Sequence, residues 1–221
     1  MGSLCHDDPN GRDLASIGSR NSVARCQRAA YARGVKTKLE FTRLSRKPLL
    51  HTPVFHLHEE ISLHPATNAE GRYYVLDAPD WVNIIAITED DELLMVRQWR
   101  HGSACIELEI PAGALEPGED PVTAATRELR EETGFAPKSA RLLGRARPNA
   151  AIQSNRCFTV VCEGCAPAGD THFDPGEQIE HVRMPIRELK ERVRDGTLQN
   201  GMMLVAILWW LDERGDVRWP G

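Results

Sequence analysis

The chain has 221 residues, 41% of them hydrophobic and 27% charged, enough for one sizeable core and ordinary for a globular protein. Its net charge of −5 conceals an asymmetry: residues 1–48 carry ten Lys and Arg against four Asp and Glu, which leaves −11 for the remainder and argues against general nucleic-acid binding by the body. The only long apolar run, "MMLVAILWWL" at 202–211, has ten residues, about half of what a membrane span needs.

Residues 1–47 show no sustained apolar period and are rich in Gly, Ser and Arg, so they read as a flexible basic leader with one short helix around "SVARCQRAAYAR". The N-terminus lacks the apolar stretch of a signal peptide, and a cytoplasmic setting is the simplest expectation. Ordered structure is expected from Pro48. "VFHLHEEISL" and "RYYVLDA" alternate as strands around the turn-rich "HPATNAEG", which makes residues 48–80 a small antiparallel sheet. "WVNIIAIT" and "ELLMVRQW" are β-prone runs joined by a short acidic turn, a hairpin pattern. "ACIELEIPAG" continues as a strand as far as Pro111, which cannot donate to a central ladder.

"ARLLGRA", "NRCFTVVCE" and "EQIEHVRMP" are further strand candidates, and "IRELKERVRDG" and "GMMLVAILWWLDERG" read as helices ended by glycine. Mixed short strands with two or three helices define an α+β sandwich, with its main domain at 81–214 and a tail at 215–221. Six cysteines are too sparse for a disulfide framework. Cys162 and Cys165 form a C-x-x-C with Cys157 upstream and His172 and His181 within reach in sequence. A structural zinc site wants four ligands from two such knuckles, so the thiols are read as lying on or just beyond a strand.

The chemistry concentrates in "GALEPGEDPVTAATRELREETGF", residues 113–135. Asp120 before Pro121 is a helix start and Gly134 a helix stop. Val122, Ala125 and Leu129 share one side at helical spacing, and Glu128, Glu131 and Glu132 share another. Like charges at these spacings repel by a few tenths of a kcal/mol per pair, and two of them lie near the helix C-terminus, where the dipole opposes them. The turn-forming "PAGALEPGE" can bring Glu119 and main-chain carbonyls towards the same face. A cluster of hard oxygen donors suits Mg²⁺ or Mn²⁺, ions that keep positions open for water and phosphates.

The segment agrees at every fixed position with the Nudix signature G-x5-E-x7-R-E-U-x-E-E-x-G-U, where U is a bulky apolar residue: Gly113, Glu119, Arg127, Glu128, Leu129, Glu131, Glu132, Gly134 and Phe135. The chain therefore resembles the Nudix hydrolases over roughly residues 50–214. The resemblance implies an α/β/α sandwich with a mixed sheet and two to three Mg²⁺ or Mn²⁺ ions. Glu128 and Glu132 would be the principal ligands, helped by Glu131 and the main-chain carbonyl of Ala112. Gly113, Glu119 and Arg127 would brace the loop, and a glutamate outside the box would act as base, with Glu177 of "DPGEQIEHV" ahead of Glu180.

"VRQWR" and "LEIPAG", with Pro148 downstream, resemble the ADP-ribose and ADP-sugar pyrophosphatases. That branch implies a homodimer through the N-terminal sheet, and hydrolysis of ADP-ribose to AMP and ribose 5-phosphate. Arg97 and Arg100 are candidate contacts to the diphosphate or terminal ribose, although alternation sends neighbouring strand residues to opposite faces. Arg156 and Asn155 either contact substrate or cap a turn, and Tyr73, Tyr74 and Trp81 either stack on adenine or belong to the core. Two other functions remain open: hydrolysis of another NDP-sugar or modified nucleotide, and a ligand-sensing module without turnover.

Overall fold

A computed structural model describes residues 39–173 and 176–217. By internal contacts the chain divides into two units, one of residues 1–44 with 61–71, the other of 45–60 with 72–221. The short helix expected around "SVARCQRAAYAR" lies outside the described residues.

Three strands, β1 (Thr42–His51), β2 (His56–Leu63) and β3 (Glu70–Asp77), form a sheet in that order. β1 crosses the 47/48 position where the sequence reading ended the leader. All ten of its residues are exposed, so no inward-facing alternation marks it in the sequence. Its Pro48 is tolerated because β1 is an edge strand. Arg46 ties β1 to its neighbours, with Nε 3.2 Å from Glu60 and Nη2 2.5 Å from Asp77.

The second sheet is mixed. It contains β4 (Trp81–Thr88), β5 (Glu92–Arg100), β6 (Cys105–Glu109), β7 (Ala112–Ala114), β8 (Phe135–Ala136), β9 (Ser139–Ala146), β10 (Cys157–Pro167) and β11 (Ile179–Pro185). Its central path runs β11-β5-β4-β10-β8, with β6 on β5, β7 on β4 and β9 on β10. β10 runs parallel to β4, and the other pairings are antiparallel.

Because both faces of β4 are covered, its sequence is nearly continuous in apolar residues. Val82, Ile84 and Ala86 meet Ala124, Ala125 and Leu129 of helix α1 (Pro121–Thr133) in one core. Ile85 and Ile87 belong to the other core, with Met203, Ala206, Ile207 and Trp210 of helix α3 (Gly201–Glu213). Helix α2 (Leu189–Arg194) adds buried Leu189 to that second core. The expected α/β/α sandwich is present.

α3 is apolar around most of its girth, and its start is set by polar atoms. Asn200 caps it by accepting from the Met202 and Met203 N–H groups, and its Nδ2 donates to Glu109 at 2.7 Å. Asn200→Ala removes the cap and one partner of a buried carboxylate, so urea denaturation is expected to show a loss of about 1–2 kcal/mol. An unchanged midpoint would deny the cap this role.

Cys157, Cys162 and Cys165 lie in β10 and are buried, whereas Cys105 is partly exposed. Burial pushes the first two thiols up to about 12 and Cys165 to about 11. Thiolate is the reactive form, so among these four only Cys105 is expected to alkylate quickly in the folded protein. Peptide mapping after brief iodoacetamide treatment checks this, and early labelling of Cys162 would contradict the burial.

Candidate active site

α1 is placed by its ends. Asp120 caps it by accepting from the Val122 and Thr123 N–H groups. Gly134 closes it at φ 74°, a left-handed conformation that favours glycine. With the apolar side seated on β4, the carboxylate side faces a pocket of about 390 Å³. Glu128, Glu131 and Glu132 line it together with Ala112, Gly113, Arg100 and Arg127.

Glu132 is the most buried of the three, 4% exposed, and its Oε2 accepts the Ala112 N–H at 3.1 Å. Burial raises its pKa to about 8, and the charges of Glu128 and Glu177 add to the rise. Glu128 is also raised by burial, with Arg127 opposing and Glu131 and Glu177 reinforcing. Its carboxyl group lies where a Cβ on Gly113 would stand, 2.0 Å from that position, so only glycine leaves room for it there.

Arg127 organises the loop before the helix. Its guanidinium grips both oxygens of Glu119 at 3.1 and 3.0 Å and donates to the Ala114 carbonyl at 3.1 Å. It also donates to Glu128 at 2.9 Å and Glu131 at 3.0 Å. The hydrogen bonds from Arg127 hold the Glu119 carboxyl below its usual range, and Glu119 in turn accepts the Glu116 N–H.

Glu177 and Glu180, both expected on one loop, are separated, because Glu180 falls within β11. Glu177 lines the carboxylate pocket, whereas Glu180 lies opposite Arg97 in the β11–β5 register, its Oε2 3.5 Å from that guanidinium. The two strand arginines are separated as well. Arg100 reaches the pocket, held by Nε at 2.9 Å and by Nη2 to buried Glu109, while Arg97 pairs with Glu180 and lines neither this pocket nor its neighbour. Arg156 is exposed, and its main chain accepts from Trp81 N–H and donates to Asp80. Asn155 is buried and Trp81 lines the pocket, whereas Tyr73 and Tyr74 are half-exposed.

The sequence reading did not place Gln98, Glu116 or His172 at this pocket. His172, weighed only as a zinc partner, arrives because its N–H donates to the Glu131 carbonyl at 2.9 Å, folding the loop back onto the end of α1. No local pattern announces such a contact.

The donors suit a hard divalent cation in kind: they are oxygens, buried Glu132 lies beside partly buried Glu128, and Gly113 leaves the space that Glu128 occupies. Among the described residues no group of three or more His, Cys, Asp or Glu side chains is placed to hold a metal ion by itself. Mg²⁺ commonly sits on one or two carboxylates and retains water.

A mixed sheet between two helices, with one helix presenting carboxylates beside a glycine-bearing loop, defines a class of diphosphate hydrolase. Residues 79–201 match the NUDIX domain model, more than half the chain, and the chain belongs to that family. It is similar to the methanol dehydrogenase activator of Bacillus methanolicus, 28% identical over 130 residues that cover 58% of this chain and 70% of that one. It is also similar to the ADP-ribose pyrophosphatase of Bacillus subtilis (strain 168), 35% identical over 100 residues, 45% of this chain and 54% of that one. The crystal structure of an ADP compounds hydrolase shares the fold, with a TM-score of 0.72 at 23% identity, over 83% of this chain and all of that one. Among the described residues no helix is long and apolar enough to cross a membrane.

Proposed function

We propose that the protein hydrolyses the diphosphate bond of a nucleoside diphosphate derivative, with ADP-ribose giving AMP and ribose 5-phosphate as the preferred reaction. One observation carries this reading: three carboxylates of one helix face and Glu177 from a separate loop converge on one pocket that Arg100 also lines.

In this reading Glu128 and Glu132, with Glu131 and the Ala112 carbonyl, hold two to three Mg²⁺ or Mn²⁺ ions. When bound, such ions offset the diphosphate charge and lower the pKa of a coordinated water. Glu132 is oriented by the Ala112 N–H, and Glu128 by Arg127 and the space at Gly113. Glu177 takes the proton of the attacking water as general base. Arg100, anchored by Glu109, offers its remaining N–H groups to a phosphate oxygen.

A panel of ADP-ribose, other NDP-sugars, dinucleotides and nucleoside triphosphates, each with Mg²⁺ or Mn²⁺, tests the reading through monophosphate release. ADP-ribose is expected to have the highest kcat/KM. A higher value for another NDP-sugar selects the same-class alternative, and tight binding of a diphosphate without turnover selects a sensing module.

A homodimer in the cytoplasm completes the proposal. Leu49, Leu50, Val54, Tyr73 and Tyr74 expose apolar surface on and beside the three-stranded sheet, which supports pairing with a second copy. Sedimentation velocity is expected to give twice the 24.7 kDa chain mass. A monomer at every concentration tested would discard the dimer.

A further inference from the structure

A molecule with two phosphates is an anion, and the surface it has to approach is acidic. Outside residues 1–48 the chain carries −11, and Glu116, Glu128, Glu131, Glu132 and Glu177 all line the carboxylate pocket. Until cations are bound, that field opposes the ligand.

Three arginines break the pattern. Arg145 of β9 lies opposite Phe158 of β10, and Ala146 lies opposite Cys157. Continued by one residue, the same antiparallel register sets Arg147, just past β9, against Arg156, just before β10. All three are exposed, and among the described residues none of them has an ion pair. The Asp80 carboxylate is taken up by the Arg156 main-chain N–H, at 2.7 Å, and not by its guanidinium.

Like charges opposite one another across an antiparallel pair destabilise it. Stability alone favours an acid at one of these positions, as Arg141 in the same strand shows by pairing with Glu213 at 2.6 Å. The patch also stands beside the pocket. The Arg156 carbonyl accepts the Trp81 N–H at 2.9 Å, and Trp81 lines the carboxylate pocket. Pro148 and Asn155, the sequence neighbours of Arg147 and Arg156, line a cavity of about 310 Å³ that shares Trp81, Arg100 and Ala112 with that pocket.

Exposed and unanchored by any carboxylate, these guanidiniums supply a field and not a fixed contact. Such a field reaches about 30 Å at 0.01 M ionic strength and about 3 Å at 1 M. Resting on the hydrolase reading above, we propose that Arg145, Arg147 and Arg156 form an entry patch that draws anionic nucleotides to the carboxylate pocket. The field acts on bound substrate and transition state alike, so it raises kcat/KM at low salt and leaves kcat unchanged.

The test compares the full chain with two double variants, Arg145→Gln/Arg147→Gln and, as a control of equal charge change, Arg187→Gln/Arg194→Gln. Arg187 and Arg194 are likewise exposed and without an ion pair among the described residues, and they line neither cavity. Thermal unfolding confirms that each variant is folded. ADP-ribose hydrolysis is followed from about 0.02 to about 0.5 M ionic strength. The entry-patch variant is expected to lose roughly tenfold in kcat/KM at the low end and less than about twofold at the high end, with kcat within about twofold throughout. Adding Arg156→Gln is expected to deepen the low-salt loss by a further factor of about three. The control should follow wild type within about twofold.

Equal salt dependence in wild type and the entry-patch variant, an equal loss in the control, or a fall in kcat in place of kcat/KM would overturn the proposal. Equilibrium dialysis with AMP and Mg²⁺ repeats the comparison without turnover and separates the two readings. Turnover with parallel salt profiles removes the patch and leaves the hydrolase. No turnover of any diphosphate, with AMP binding that keeps the expected salt difference, removes the hydrolase and leaves the patch.

Discussion

Glu132→Gln is expected to lower kcat for ADP-ribose by roughly 10³-fold while making the chelator-treated protein more stable than wild type. The two effects share one cause. Glu132 is almost fully buried, and its neighbours Glu128 and Glu177 add negative charge, so folding raises its pKa from an ordinary 4.5 to about 8. Folding therefore favours the protonated form. Without a cation, the contribution of this group to wild-type stability is fully present below about pH 4.5 and is lost as pH rises through about 8. Glutamine keeps the shape and the acceptor for Ala112 N–H but never ionises, so its melting temperature should change little over that window from this group. Adding Mg²⁺ should raise the wild-type melting temperature at pH above about 8 and leave the variant nearly unmoved. Melting curves with chelator and with Mg²⁺, beside initial rates, check both halves. Undiminished activity in the variant would overturn the assignment of Glu132 as a metal ligand.

Arg127→Ala is expected to reduce kcat about 100-fold and to cost about 2–3 kcal/mol in urea denaturation. One guanidinium engages Glu119, Glu128, Glu131 and the Ala114 carbonyl together. Removing it frees the Gly113–Glu119 turn and leaves Glu128 and Glu131 to repel each other across the pocket. Arg127→Lys should recover only a small part of either loss. A single ammonium cannot grip both Glu119 oxygens while also reaching Glu128, Glu131 and a carbonyl. Full activity in the lysine variant would show that charge alone, and not the fork, organises the loop.

The expected strands β4 and β5 and the helix α1 agree with the structure because the physics that forms them is local. Asp120 and Pro121 start α1, Gly134 stops it, and the β-branched run of β4 has few alternatives. The carboxylate face followed from helical spacing alone. β1 escaped notice because an edge strand exposed on both faces carries no burial period. The break between β6 and β7 at Ile110–Pro111 was legible in part, since Pro111 signalled the end of a ladder.

What the amino-acid sequence determined by itself was the helix, its caps and the crowding of Glu128, Glu131 and Glu132 on one face, because each depends on residues within a few turns of one another. The tertiary structure alone decided which distant groups join them. The pairing of β11 with β5 sets Glu180 against Arg97, Glu177 reaches the pocket, and the buried Glu109 of β6 holds Arg100 at its wall. Register and loop closure fix these meetings, and they are set by pairing between strands far apart in the chain, to which no short stretch is sensitive.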